Sequence, residues 1–299
     1  MDPMTSVGER EELDSGDFSM ESRDVTTRAG KARISYVVCK PLEEAGFLNA
    51  FSTRLGGVSN VAAGALSLGY SKTETRENVD ENRSRFLSAI GAKGWPVKTV
   101  RQTHSSDRCQ VETAGGPEVG KHSDSEPEPK CDALLARVDR VLLAVQTADC
   151  LPILIGDTRS GAMAAIHAGW RGTAARITER TVADLMRNLG VNPRDAVAAL
   201  GPVTCGRCYE VGPEVVERFK QEFGYWKKLL KPIGSGDKAY LDIRAANIQQ
   251  LEFCGFTPDR IHIAPYCTMH QNELFFSYRL EGGGGTRPVG RLLSVIGRG

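Results

Sequence analysis

The chain has 299 residues, 40% of them hydrophobic, and a formal net charge of +1. That balance excludes both the basic excess of a nucleic-acid or membrane-surface binder and the composition of a disordered chain. No apolar run approaches the roughly 18 residues of a membrane span, and the start, MDPMTSVGEREELDSGD, lacks the basic-then-apolar order of a secretory signal, so a cytoplasmic protein is expected.

Residues 1–31 are polar and aperiodic and read as a disordered tail, leaving 32–299 as a single domain. RISYVVCK, after Ala32, alternates as a strand, and residues 47–54 form a second one closed by Gly56-Gly57. The small, Gly-rich stretch 59–70 reads as an ordered loop. Residues 75–90 carry Val79, Phe86, Leu87 and Ile90 at helical spacing, with Gly91 as the stop. A short strand over 97–102 leads into His104. Residues 115–130, rich in Pro, Gly and acid, read as a mobile surface loop that leaves His122 solvated. Order resumes at Cys131-Asp132-Ala133. Two short apolar runs follow, 141–145 and 162–166, which suit buried strands. The first leads through Gln146-Thr147-Ala148-Asp149 to Cys150, and the second ends at His167. Residues 173–189 place Ile177, Val182, Leu185 and Met186 on one face of a long helix stopped by Gly190. Beyond it the pattern predicts a strand over 196–200, a helix over 213–223 with Pro at its first turn, and a strand end followed by a helix over 240–251. A strand over 261–264 with a packed His262, an aromatic-rich stretch 267–279, a glycine loop 282–285 and a last strand 291–296 complete the chain. No linker interrupts this mixture, so one α/β-type domain is expected.

Five histidines are present, and two of them, His104 and His167, stand with Cys150 at strand ends. Two imidazoles and a thiolate suit Zn²⁺, and three protein ligands would leave the open fourth position of a catalytic site. Packed histidines and a buried core thiol would explain the same residues. Eight cysteines at irregular spacing fit reduced thiols. Cys205-x-x-Cys208 invites a metal or redox reading. However, Cys254 and Cys267 are too far apart to supply the second pair, and no helix opens directly after the motif. Arg171, in His167-Ala168-Gly169-Trp170-Arg171-Gly172 ahead of a helix, and Arg54, ahead of Gly56-Gly57, could each hold an anion or be ordinary surface residues.

Several motifs occur in a familiar order: Phe51-Ser52-Thr53-Arg54-Leu55-Gly56-Gly57-Val58-Ser59, Glu81-Asn82-Arg83, Gln102-Thr103-His104, Thr147-Ala148-Asp149-Cys150-Leu151-Pro152, His167-Ala168-Gly169-Trp170-Arg171-Gly172, Gly201-Pro202, Cys208-Tyr209-Glu210-Val211-Gly212 and Phe276-Ser277-Tyr278-Arg279. On these the chain resembles the purine nucleoside phosphorylase family of the YfiH, YlmD and laccase-domain type, formerly labelled multicopper polyphenol oxidoreductase. The resemblance covers nearly everything from Ala32 onward. It implies an α+β fold, a single-domain α/β sandwich with mixed β-sheets of cysteine-hydrolase-like type. It also implies a zinc on His104, Cys150 and His167. The activity implied is phosphorolysis of adenosine, inosine, guanosine and methylthioadenosine, with adenosine deamination at the same site. The chain departs from the family pattern at Ala65-Leu66-Ser67-Leu68-Gly69, where Ser67 replaces an Asn that could contact substrate, and at Val289-Gly290-Arg291, a reduced form of Thr-Gly-Arg.

Phosphorolysis needs phosphate beside the ribose, and Arg54 and Arg171 are the candidates to hold it. Asp149 is the candidate general acid/base for deamination, and Cys150 is placed in the catalytic set. Two rivals are weighed. A cysteine hydrolase would use Cys150 as nucleophile with His104 or His167 as base. A copper-dependent polyphenol oxidoreductase would need a His₂Cys blue-copper site and a three-copper cluster, more ligands than five histidines supply.

Overall fold

A computed structural model of the chain describes residues 16–27, 30–71, 74–114 and 129–299. Two six-stranded sheets stack face to face. The first contains β1 (Phe18–Thr27), β2 (Gly30–Cys39), β3 (Phe47–Ser52), β4 (Val97–Lys98), β7 (Leu142–Thr147) and β15 (Leu292–Arg298), in the order β1-β2-β3-β15-β7-β4. The second contains β5 (Arg108–Val111), β6 (Ala133–Ala136), β8 (Leu151–Asp157), β9 (Met163–Ala168), β10 (Ala196–Leu200) and β14 (Ile261–Ile263), in the order β14-β10-β8-β9-β6-β5. Neighbours run antiparallel except β4–β7, β5–β6 and β10–β14, so both sheets are mixed. The central strands are nearly continuous apolar runs because each sheet is covered on both faces. Between the sheets lie Phe47, Phe51, Leu143, Val145, Leu154, Ala165 and Val197.

A short helix, α1 (Lys40–Glu44), joins β2 to β3 and buries Leu42. Outside the first sheet, α2 (Arg76–Ala89) packs Phe86 and Ala89 against Tyr36, Leu142 and Val295. Thr75 caps this helix by accepting the Asn78 N–H. Outside the second sheet, α4 (Ile177–Leu189) and α6 (Ile243–Phe253) pack Val182, Leu185 and Leu251 onto Ile153, Ile155 and Ala198. A smaller unit of α5 (Pro213–Glu222) and a three-stranded sheet, β11 (Glu210–Val211), β13 (Ala239–Leu241) and β12 (Leu230–Pro232), closes around Phe219 and Phe223. The architecture is mixed α+β in layers, as the sequence predicts at that level.

Three sequence expectations are corrected. The tail expected through residue 31 holds β1, which pairs with β2 along its whole length, while residues 1–15 lie outside the described residues. This is an edge strand with only Phe18 and Val25 buried, one on each face, so it lacks the alternation that marks a half-buried strand. The single helix expected over 173–189 is two: α3 (Trp170–Ala174) and α4, separated by Arg176 in the left-handed region at φ 61°. Finally, β8 follows Cys150 directly, so Cys150 sits in the turn between β7 and β8 rather than at the end of a strand. The loop expected over 115–130, with His122, falls almost wholly outside the described residues.

Candidate metal centre and its cavity

β7 belongs to the first sheet and β8 to the second, so the Ala148-Asp149-Cys150 turn carries the chain from one to the other. β8 and β9 pair with Pro152 opposite His167, which sets Cys150, two residues before Pro152, beside the imidazole. His104 arrives from the segment after β4. Gln102 fastens that segment to β7 by donating to the Gln146 carbonyl at 2.7 Å and accepting the Gln146 N–H at 2.7 Å. The three side chains meet: their donor atoms all lie within 4.8 Å of one another. Cys150 Sγ is 3.9 Å from His104 Nε2, and the two imidazole rings stand edge to face at 4.9 Å.

Asp132 organises the trio from behind. It is fully buried, and its Oδ1 lies 2.8 Å from His167 Nδ1, which turns Nε2 toward Cys150. The same carboxylate accepts the backbone N–H groups of Thr103, His104 and Ser105 and the Ser105 hydroxyl. Burial alone would raise its pKa, but the His167 and Ser105 hydrogen bonds outweigh burial and hold it well below the usual carboxylate range. A carboxylate behind a ligating histidine fixes its tautomer and direction. Burial likewise pushes the Cys150 thiol up, yet the neighbouring His167 charge and the hydrogen bonds of both histidines bring it down to about 6. His167 moves up to about 9, because Cys150 and Asp132 overcome the burial that would lower it. Without a metal, both shifts favour the thiolate–imidazolium form of the pair.

The donor set fits a transition metal. One sulfur and two imidazole nitrogens converge, one histidine carries the supporting carboxylate, and all three face a cavity that leaves a fourth direction open. Gly169 makes this approach possible, since a Cβ there would stand 2.9 Å from His104 Cδ2 and 3.3 Å from Cys150 Sγ. Two ligand-bearing segments hold left-handed backbone at non-glycine residues, His104 at φ 58° and Asp149 at φ 85°, the kind of strain found at functional sites.

The cavity measures about 680 Å³ and is lined further by Tyr70, Arg101, Gln102, Gln146, Tyr278 and Arg291, a size that suits a small organic ligand. Arg291 is the basic group built most firmly into it. Its backbone N–H donates to Ser67 Oγ at 3.1 Å and its Nη1 donates to the Val289 and Gly290 carbonyls. Burial lowers its pKa from the ordinary arginine value, against the opposing charges of Cys150, Tyr278 and Asp149.

Other sequence-chosen residues stand elsewhere. Arg54 does not line this cavity; it pairs with Glu281 at 2.7 Å, donates to the Asn272 carbonyl and stacks on Phe276. Arg171 is exposed, stacks on Trp170, pairs with Glu214 at 3.8 Å and lines a separate cavity beside α5. Ser67 is buried outside the cavity lining, and its Oγ accepts the Arg291 backbone N–H. Asp149 keeps both oxygens occupied: Oδ1 accepts from the Thr268 hydroxyl and Oδ2 from the Arg279 N–H, each at 2.6 Å. These bonds tie the turn that carries Cys150 to Thr268 and to the Arg279 backbone. The residues that sequence reading missed are Asp132, which showed only as the point where order resumes, and Arg291, visible only as a shortened motif.

The fold and site together define a mixed α+β sandwich protein with a candidate Cys–His₂ metal centre at the edge of a ligand-sized cavity. Residues 48–299 match the family model described as multi-copper polyphenol oxidoreductase laccase. A purine nucleoside phosphorylase of Deinococcus radiodurans is 36% identical over 250 residues, covering 83% of this chain and 88% of the relative. Adenosine deaminase RL5, from an unknown prokaryotic organism, is 32% identical over 246 residues, covering 79% and 89%. The crystal structure of Bacillus licheniformis hypothetical protein YfiH superposes with a TM-score of 0.81 at 26% identity, covering 88% of this chain and 96% of that one. The chain belongs to this laccase-domain family of the YfiH type.

Proposed function

We propose that the protein is a zinc-dependent purine nucleoside phosphorylase acting on adenosine, inosine, guanosine and methylthioadenosine, and that it deaminates adenosine at the same site in the cytoplasm. The observation that carries this reading is the juxtaposition of His104, Cys150 and His167 with Arg101, Arg291 and two tyrosines around one cavity. Metal ligands, guanidinium donors for phosphate and aromatic faces for a purine are thus within one ligand's reach. The names of the relatives agree with it. A divalent metal held there supplies Lewis acidity and makes a neighbouring water a stronger acid.

In phosphorolysis the bond from ribose C1′ to the purine nitrogen breaks, a phosphate oxygen bonds to C1′, and the purine leaves with a proton. Arg291 and Arg101 are preferred to Arg54 and Arg171 as the phosphate-binding pair, because they line this cavity, whereas Arg54 is engaged with Glu281 and Arg171 lines a separate one. Tyr70 and Tyr278 flank the base. Incubating the zinc-loaded protein with adenosine, with and without phosphate, and separating the products tests the reading. Adenine that forms only with phosphate, plus inosine in both reactions, is expected; neither product would overturn it. Arg291→Ala is expected to raise KM for phosphate about tenfold, the worth of a charge-assisted contact, while inosine formation without phosphate persists.

One observation favours a second reading. Cys150, His167 and Asp132 line up as nucleophile, base and orienting carboxylate, the order of a cysteine hydrolase and of the fold label that the family suggests. Hydrolysis of an amide that survives chelation, with Cys150 trapped by an electrophile, would favour it over the metal enzyme. The histidines disfavour a multicopper enzyme: His262 bonds Asp17 and His270 stands with other cysteines, which leaves only His104 and His167 at this centre among the described residues.

A further inference from the structure

The second half of the Cys205-x-x-Cys208 motif is Cys267-x-x-His270. A Cys–x–x–His pair matches the spacing expected of a zinc half-site as well as a second Cys–x–x–Cys would. The fold brings the two halves together. Val203 and Cys267 form a parallel bridge, and the Thr268 N–H donates to the Val203 carbonyl at 3.2 Å. The ligand atoms of Cys205, Cys208, Cys267 and His270 all lie within 4.8 Å of one another. Cys208 Sγ is 3.2 Å from His270 Nε2, and the Cys205 backbone N–H donates to Cys267 Sγ at 3.4 Å. Tetrahedral zinc with Zn–S bonds of about 2.3 Å sets its sulfur ligands about 3.8 Å apart, so little movement is needed. Cys208 N–H turns back to the Cys205 carbonyl at 2.9 Å, forming a tight turn between the first two ligands. Both halves occupy loops on a sheet edge, where the packed core gives no reason for three cysteines and a histidine to converge.

We propose that these four residues form a second, structural zinc site, closed by four protein ligands and separate from the centre at Cys150. Its function is to brace the first centre. Thr204, next to Cys205, donates its N–H to the Asp149 carbonyl at 3.1 Å, and Thr268, next to Cys267, donates its hydroxyl to Asp149 Oδ1. Tyr209, next to Cys208, carries the Arg279 guanidinium on its ring, and the Arg279 N–H holds Asp149 Oδ2. A metal joining the two loops therefore ties together the supports of the left-handed residue that precedes Cys150. All four of these ligands are positioning residues; none lines the cavity.

Metal content, which is independent of any activity, tests this. Full-length protein loaded with zinc and dialysed against metal-free buffer is expected to retain two equivalents, with one lost in Cys150→Ala and a different one lost in Cys208→Ser. In Cys150→Ala loaded with cobalt, thiolate-to-cobalt charge-transfer absorption should persist with the strength of three thiolates. If Cys208→Ser fails to fold, His270→Ala, at an exposed position, serves the same purpose and should lose the same equivalent. Wild-type zinc content in both Cys208→Ser and His270→Ala would overturn the proposal. So would a Cys205–Cys208 disulfide in freshly purified, zinc-loaded protein. Failure of the first centre instead shows as zinc content unchanged by Cys150→Ala, which keeps the two outcomes apart.

Discussion

Cys150→Ala is expected to abolish metal retention at the first centre and to lower phosphorolysis and deamination together by at least about a thousandfold. The thiolate is the only anionic ligand of the three, and two neutral imidazoles would hold a divalent cation weakly. The side chain lies in a turn between the sheets rather than within either sheet, so folding should survive. Circular dichroism and thermal melting would confirm an intact fold, and metal analysis with product separation would measure the loss. Cys150→Ser, which keeps the volume but not the soft donor, should behave nearly as badly. A Cys150→Ala protein that kept the metal of the first centre and its activity would show that the sulfur serves only packing.

Asp132→Ala is expected to act on both the site and the fold. Three backbone N–H groups and the Ser105 hydroxyl donate to its carboxylate, and so does the His167 ring. Removing it leaves these donors buried without an acceptor and frees the loop that carries His104. Breaking one partner of a fully buried charged network costs about 3–5 kcal/mol, a fall in Tm of roughly 10 °C for a domain of this size. Loss of a carboxylate behind a ligating histidine typically weakens metal binding by about 10–100-fold. Chelator competition followed by calorimetry separates the two effects. Asp132→Asn keeps acceptor capacity but not charge, and should retain more stability than metal affinity. If both variants bound metal as wild type does, Asp132 would be a structural anchor alone.

The central strands, α2 and the three metal candidates were readable from the sequence because each rests on local pattern: apolar runs bounded by turns, helical spacing with a cap, and reactive residues at strand ends. What escaped depends on partners distant in the chain. β1 is polar because an edge strand needs only Phe18 and Val25 as anchors. The break between α3 and α4 falls on Arg176, whose left-handed backbone no glycine announces. Arg54 and Arg291 offer the same guanidinium, and only the fold decides that one meets Glu281 and the other the cavity. In the second cluster, Cys208 and His270 are 62 residues apart in sequence, and Cys267-x-x-His270 offers no second cysteine pair to mark the site. Asp149 shows a related limit. Its place before Cys150 suggests acid/base chemistry, and nothing in that local pattern announces the hydrogen bonds it accepts from Thr204, Thr268 and the Arg279 N–H.

The most direct measurement is phosphorolysis by protein stripped of metal and then titrated with zinc, under conditions that leave the fold intact. No adenine is expected from adenosine and phosphate in the stripped protein, with recovery that saturates as the Cys150 centre fills and with copper failing to substitute. Full activity in the stripped protein would contradict it.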